Sequence, residues 1–192
     1  MTPDEFTRAV RRNPGVAALL GRLPDLGLPQ CHLAAVCLFQ TVWNVEAGHP
    51  AARGIRDHDV FYCDADTSWE AEDRAIRRAA ALGAELGLAL EVRNQARVHL
   101  WYERRFGEPR APLRSVRDGI DGFLVACTAV GIAADTGEVY APYGLADLAA
   151  GVLRVNPRHP RPALFRAKAE DYRARWPWLT IVDGGETGGE GL

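Results

Sequence analysis

The chain is almost without lysine: of its 23 Lys and Arg residues only Lys168 is a lysine. It has no basic surplus either, with a formal net charge of −2, which argues against wholesale binding to nucleic acid or anionic membranes. The arginine that stands in for lysine offers a planar fork suited to phosphate. No uninterrupted apolar run reaches the roughly 18 residues of a membrane span, and Met1-Thr2-Pro3-Asp4-Glu5-Phe6 lacks the basic start of a secretory signal. The expectation is a cytoplasmic protein with no membrane partner. The four cysteines, Cys31, Cys37, Cys63 and Cys127, have neither C-x-x-C spacing nor the density of a disulfide scaffold, so reduced, half-buried thiols are expected. There is no internal repeat and no linker long enough to separate independent domains.

What is present suits one domain, since 192 residues with 47% hydrophobic content can bury a real core. The expected organisation is an N-terminal helical segment over 1–27, a main domain over 28–182 and a disordered tail rich in glycine and glutamate over 183–192. Residues 3–22 read as one or two helices broken at Asn13-Pro14-Gly15, and 31–45 as a largely buried helix. A strand follows over 57–63. Thr67-x-x-Glu70 has the capping-box form and opens a helix that Gly87 stops. A second strand covers 88–93, and a helix over 95–106 ends at Gly107. Ser115 to Asp118 can cap a short helix, 123–133 and 138–141 read as a hairpin, and 145–153 and 162–175 as helices.

The most informative stretch is Asp57-His58-Asp59-Val60-Phe61-Tyr62-Cys63-Asp64. Side chains alternate along a strand, so Asp57 and Asp59 share a face with their Cα atoms roughly 6.5–7 Å apart. Such pairs also serve only to cap backbone N–H groups at strand ends. Here a third carboxylate, Glu91, lies inside the apolar run Leu88-Ala89-Leu90-Glu91-Val92-Arg93, where an acid is costly unless paired, hydrated or metal-bound. Three oxygen ligands suit a hard cation such as Mg²⁺. His58 points to the opposite face, which disfavours a zinc site with Cys63.

Six segments occur in one order: Gln40-Thr41-Val42-Trp43-Asn44, Asp57 to Asp64 as above, Ser68-Trp69-Glu70-Ala71-Glu72, Glu91-Val92-Arg93-Asn94-Gln95-Ala96-Arg97-Val98-His99-Leu100-Trp101-Tyr102, Ala141-Pro142-Tyr143-Gly144-Leu145-Ala146-Asp147-Leu148 and Trp176-Pro177-Trp178-Leu179. Together they resemble a bacterial family of uncharacterised proteins, nucleotidyltransferase family 6, classed with the polymerase-β-like nucleotidyltransferases. The resemblance spans about residues 28–180. It implies an α+β (α/β-like) fold, a mixed β-sheet flanked by helices in a single domain. A D-x-D strand and a carboxylate on its neighbour would hold Mg²⁺ against a nucleoside triphosphate. Asp57, Asp59 and Glu91 map onto those catalytic and metal-binding roles. In one respect the chain departs from the pattern: Ala35 or Val36 stands where a glycine usually lets backbone N–H groups reach the phosphates.

The expected activity is Mg²⁺-dependent transfer of a nucleoside monophosphate from an NTP to an unidentified small-molecule or protein acceptor, releasing pyrophosphate. The alternative is a catalytically inactive nucleotide- or metal-binding module of the same fold. Arg93 and Arg97 are candidate triphosphate ligands, with orientation of the carboxylates as their structural role. Asn94 and Gln95 sit at a strand-to-helix junction, where an asparagine commonly caps the helix. His99, one turn later, is a candidate ligand or acid against a plain structural role. The tryptophans can stack on a base, although packing is their commoner use.

Overall fold

A computed structural model describes residues 1–182, and the expected tail lies outside them. Two short helices open the chain. In α1 (Pro3–Val10) Thr2 and Glu5 form a reciprocal capping box, and in α2 (Pro14–Arg22) Asn13 caps the amides of Gly15 and Val16. Each has proline in its first turn, where the missing N–H costs nothing. Asn13 also donates from Nδ2 to Thr41 Oγ1 (3.1 Å), tying this pair to α3 (Val36–Glu46).

The main sheet has five strands in the order β3-β2-β1-β4-β5: β1 (His32–Ala34), β2 (His58–Tyr62), β3 (Leu90–Asn94), β4 (Gly131–Ala133) and β5 (Val139–Tyr140). β2 and β3 run parallel, joined by α4 (Trp69–Leu86); every other pairing is antiparallel. A 3-10 turn at Gln95–Arg97 leads into α5 (Val98–Phe106), and α6 (Val116–Asp121) carries the Ser115–Asp118 capping box. Gly87 and Gly107 end α4 and α5 in the left-handed conformation. The chain closes with α7 (Ala146–Ala150), β6 (Val152–Arg154), α8 (Pro162–Arg175) and β7 (Thr180–Val182), β6 and β7 forming a separate parallel pair.

One hydrophobic cluster runs from Phe6 on α1 to Leu179, which makes this a single α+β domain. Beneath α3 lies an aromatic knot in which Trp43 packs on Phe39 (4.8 Å between centroids), Tyr172 (5.3 Å) and Trp176 (5.4 Å). Both buried indoles find acceptors: Trp43 donates to Leu148 O and Trp176 to Asn44 Oδ1. Packing therefore claims these two tryptophans, whereas Trp69 is exposed.

Four expectations need correction. The helix expected over 31–45 begins only at Val36, because His32–Ala34 is recruited as the strand between β2 and β4. Three residues are too few for alternation to show. The helix over 145–153 is α7 followed by β6, a strand that exists only because β7 arrives from some thirty residues on to pair with it. The expected long strand over 123–133 shrinks to Gly131–Ala133, preceded by a 3-10 turn at Ala126–Thr128. Ser68, one residue beyond Thr67, caps α4 through the amide of Ala71. All four cysteines are free; Cys63 alone is half-buried, while Cys31, Cys37 and Cys127 are buried.

Candidate active site

Asp59 is the second residue of β2, opposite Ala34 of β1 on one side and Glu91 of β3 on the other. Paired residues of neighbouring strands share a face, so Asp59 and Glu91 project side by side. Phe61 and Arg93 form the next pair on that face. The alternate residues, His58, Val60, Tyr62, Val92 and Asn94, are buried on the other side.

Two hollows meet at this face. One, of about 700 Å³, is lined by Asp57, by Val36, Gln40 and Asn44 of α3, by the loop carrying Arg53 and Arg56, and by Lys168 and Arg175 of α8. Arg175 is paired with Asp171 at 2.8 Å. Arg53, Arg56 and Lys168 pair with no carboxylate among the described residues, so this hollow presents free positive charge beside Asp57. The second, of about 520 Å³, has Asp59 among Phe39, Phe61, Phe106, Phe123 and Tyr172. Val36 and Lys168 line both.

The environment of Asp59 is hostile to its own charge. Burial pushes its carboxyl up to about 7; the neighbouring charges of Asp57 and Glu91 add to the rise, and the Val36 N–H and Arg93 oppose it. Crowded acids of this kind are relieved by a cation. Asp57, Asp59 and Glu91 fit a hard divalent ion in donor type, and Asp59 and Glu91 share a face, with Asp57 just ahead of β2. Among the described residues no three acidic, histidine or cysteine side chains come together as a group that could hold a metal ion.

The start of α3 holds the backbone nearest these acids. Ala35, its N-cap residue, has φ 53° and ψ −115° and makes no side-chain cap bond. Those angles belong to the first central position of a type II′ turn, a position that glycine dominates. Of the two positions that could hold the missing glycine, the backbone singles out Ala35. Val36 next to it projects into both hollows.

The remaining candidates divide between two surroundings. Arg93 is exposed on the carboxylate face. Arg97 is turned away, its Nε 2.7 Å from Glu72, with a further hydrogen bond to Thr67 O. Asn94 is buried: its Oδ1 accepts from the amides of Asp64 and Ala96, and its Nδ2 donates to the carbonyls of Asp64 and Asp66. Gln95 is buried against Gly119, where a Cβ would collide with its Oε1. His99 is half-buried and lines neither hollow, and its buried Nδ1 has no hydrogen-bond partner among the described residues. Sequence reasoning passed over Arg53, Arg56 and Lys168. The available signals were two arginines just upstream of the D-x-D strand and the solitary lysine of an arginine-rich chain.

A mixed sheet with paired acids on adjacent strands, beside a helix N-terminus, defines a nucleotidyltransferase-type fold. A solved structure described as an NMR structure revealing a CCA-adding enzyme head domain shares it, with a TM-score of 0.74 and 26% sequence identity over 94% of this chain and 95% of that one. The nucleotidyltransferase family model matches residues 21–181, and the chain belongs to that family. No curated protein matches it.

Proposed function

We propose that the protein transfers a nucleoside monophosphate from a nucleoside triphosphate to an acceptor hydroxyl. The observation that carries this reading is the junction of the two hollows at the acidic face, one cationic beside Asp57 and one apolar around Asp59. In this assignment Arg53, Arg56 and Lys168 receive the phosphates, their charge opposing that of the departing pyrophosphate. The apolar hollow receives the acceptor. Its oxygen attacks the α-phosphorus as the bond to the bridging oxygen of the β-phosphate breaks, and in this assignment Glu91, next to Asp59 on the neighbouring strand, takes the proton. Asp57, Asp59 and Glu91 are the residues that would hold Mg²⁺, whose chemistry there is to neutralise phosphate oxygens and make the acceptor more acidic. Arg93 flanks the acids on the same face, while Arg97, Asn94 and Gln95 brace the strand that presents Glu91. No helix among the described residues is long and apolar enough to cross a membrane.

Nucleotide binding and pyrophosphate release test the reading. ATP, GTP, CTP and UTP are offered with Mg²⁺ to the wild type and to Asp57→Asn/Asp59→Asn. Metal-dependent nucleotide binding by the wild type, lost in the double variant, is the expected result; a well-folded wild type that binds none of the four overturns it. Ala35 favours a second reading, an inactive nucleotide- or metal-binding module, because its methyl group occupies the strained turn where backbone would approach phosphate. Nucleotide binding without pyrophosphate release over a broad acceptor panel would select that alternative.

A further inference from the structure

The apolar hollow around Asp59 does not end at its own walls. Phe106, half-exposed, lines it and also belongs to an aromatic group on α5: its ring lies 4.6 Å from Tyr102 and 6.4 Å from Trp101, centroid to centroid. Arginine covers these rings, Arg110 at 5.0 Å over Tyr102 and Arg105 at 5.7 Å over Phe106. Arg110 also rests against Gly122, another residue of the hollow, where a Cβ would collide with its guanidinium. Neither Arg105 nor Arg110 pairs with a carboxylate among the described residues. Packing does not explain the ring of Phe106, which is 50% exposed, while Trp101 and Tyr102 beside it are half-buried.

We infer that this shelf binds a single-stranded nucleic acid whose terminal hydroxyl enters the apolar hollow as the acceptor. One exposed ring and two half-buried ones, interleaved with guanidinium groups, match the two recurring elements of a strand, flat bases to stack and phosphates to neutralise. The local positive charge is compatible with the overall balance of −2, since the shelf occupies one helix and its flank. The inference rests on the transferase reading and supplies the chemical class of its acceptor. The transferred group joins the terminal oxygen of the strand by the displacement already described, and pyrophosphate leaves.

The test is fluorescence anisotropy of the full chain with labelled RNA and DNA single strands of about 12 nucleotides, a length within the range of single-strand sites. The wild type is expected to bind and to weaken as salt rises. Arg105→Glu/Arg110→Glu should weaken binding at least tenfold and Tyr102→Ala severalfold. Photo-crosslinking of a thiouridine-substituted strand to the wild type, followed by peptide mapping, gives a readout that needs no variant to fold, and the adduct is expected within 101–110. A wild type that binds no strand, a folded double variant that binds unchanged, or an adduct elsewhere overturns the inference. Mg²⁺-dependent nucleotide binding is measured in the same samples. If it persists without strand binding, only the acceptor class fails; if it is absent from the wild type, the transferase reading itself fails.

Discussion

Asp59 and Glu72 are two acids with opposite fates on the two faces of one pair of strands. Glu72, on α4 behind the sheet, is buried with partners for both oxygens, the Arg97 Nε at 2.7 Å and the Asn94 amide at 3.1 Å. Asp59, on the front, sits among other acids and is pushed up to about 7. Charge that serves the fold is neutralised within the chain, whereas charge left unanswered marks the place where something else must bind. The same division separates the arginines. Arg97 is consumed by Glu72, while Arg53 and Arg56 have no such partner among the described residues and open on the polar hollow.

The comparison breaks most sharply at Asp59. Asp59→Asn should reduce pyrophosphate release on the order of 10³-fold, the scale of losing a group that faces transition-state charge. On the other face Arg97→Ala leaves Glu72 buried beside an empty space and should cost about 3–5 kcal/mol in urea unfolding. Arg53→Ala, by contrast, should leave the midpoint nearly unchanged and raise KM for the nucleotide. Their ratio sharpens the distinction between charge for folding and charge for binding.

pH probes the front face through Asp59. Asp59 binds its proton more tightly folded, at about 7, than unfolded near 3.8. The stability this contributes is fully present below about pH 4 and is lost as pH rises through 7, a swing on the order of 4 kcal/mol. In the metal-free protein at pH 8, Asp59→Asn should therefore raise Tm. Mg²⁺ should raise the Tm of the wild type and not of the variant, by binding the charged form. A wild type whose stability is flat between pH 5 and pH 8 would contradict the assigned environment of Asp59. The smallest effect is expected at Ala35. Ala35→Gly should raise stability by about 1 kcal/mol by relaxing a positive φ, and should tighten nucleotide binding if the methyl group obstructs phosphate.

Much of this was legible in the chain because local chemistry wrote it. The β2-α4-β3 unit announced itself through alternation, a serine cap within one residue of the expected threonine, and Gly87 as stop. Alternation also placed Asp59 on one side of the strand and His58 on the other, while Asp57 falls just ahead of its first residue. The rest depends on partners far away in sequence. β1 and β6 have three residues each and acquire strand character only from neighbours. Nothing local tells Arg97 to turn toward Glu72 while Arg93, four residues earlier, stays on the exposed face. The cationic hollow joins the loop before β2 to Lys168, more than a hundred residues on, and no spacing rule reaches that distance.

Asn94 has a consequence for how the protein can change length. From the end of β3 it clasps Asp64 on both sides of its peptide, and Asp66 beyond, so the two parallel strands are fixed to one another at their C-terminal ends. A slip of one residue would turn Glu91 into the core and Val92 toward the face that carries Asp59. Because the clasp lies downstream, residues inserted between α4 and β3 would alter where the strand starts without altering which side chains it offers. An insertion between Tyr62 and Asp64 would pull the two acids out of step.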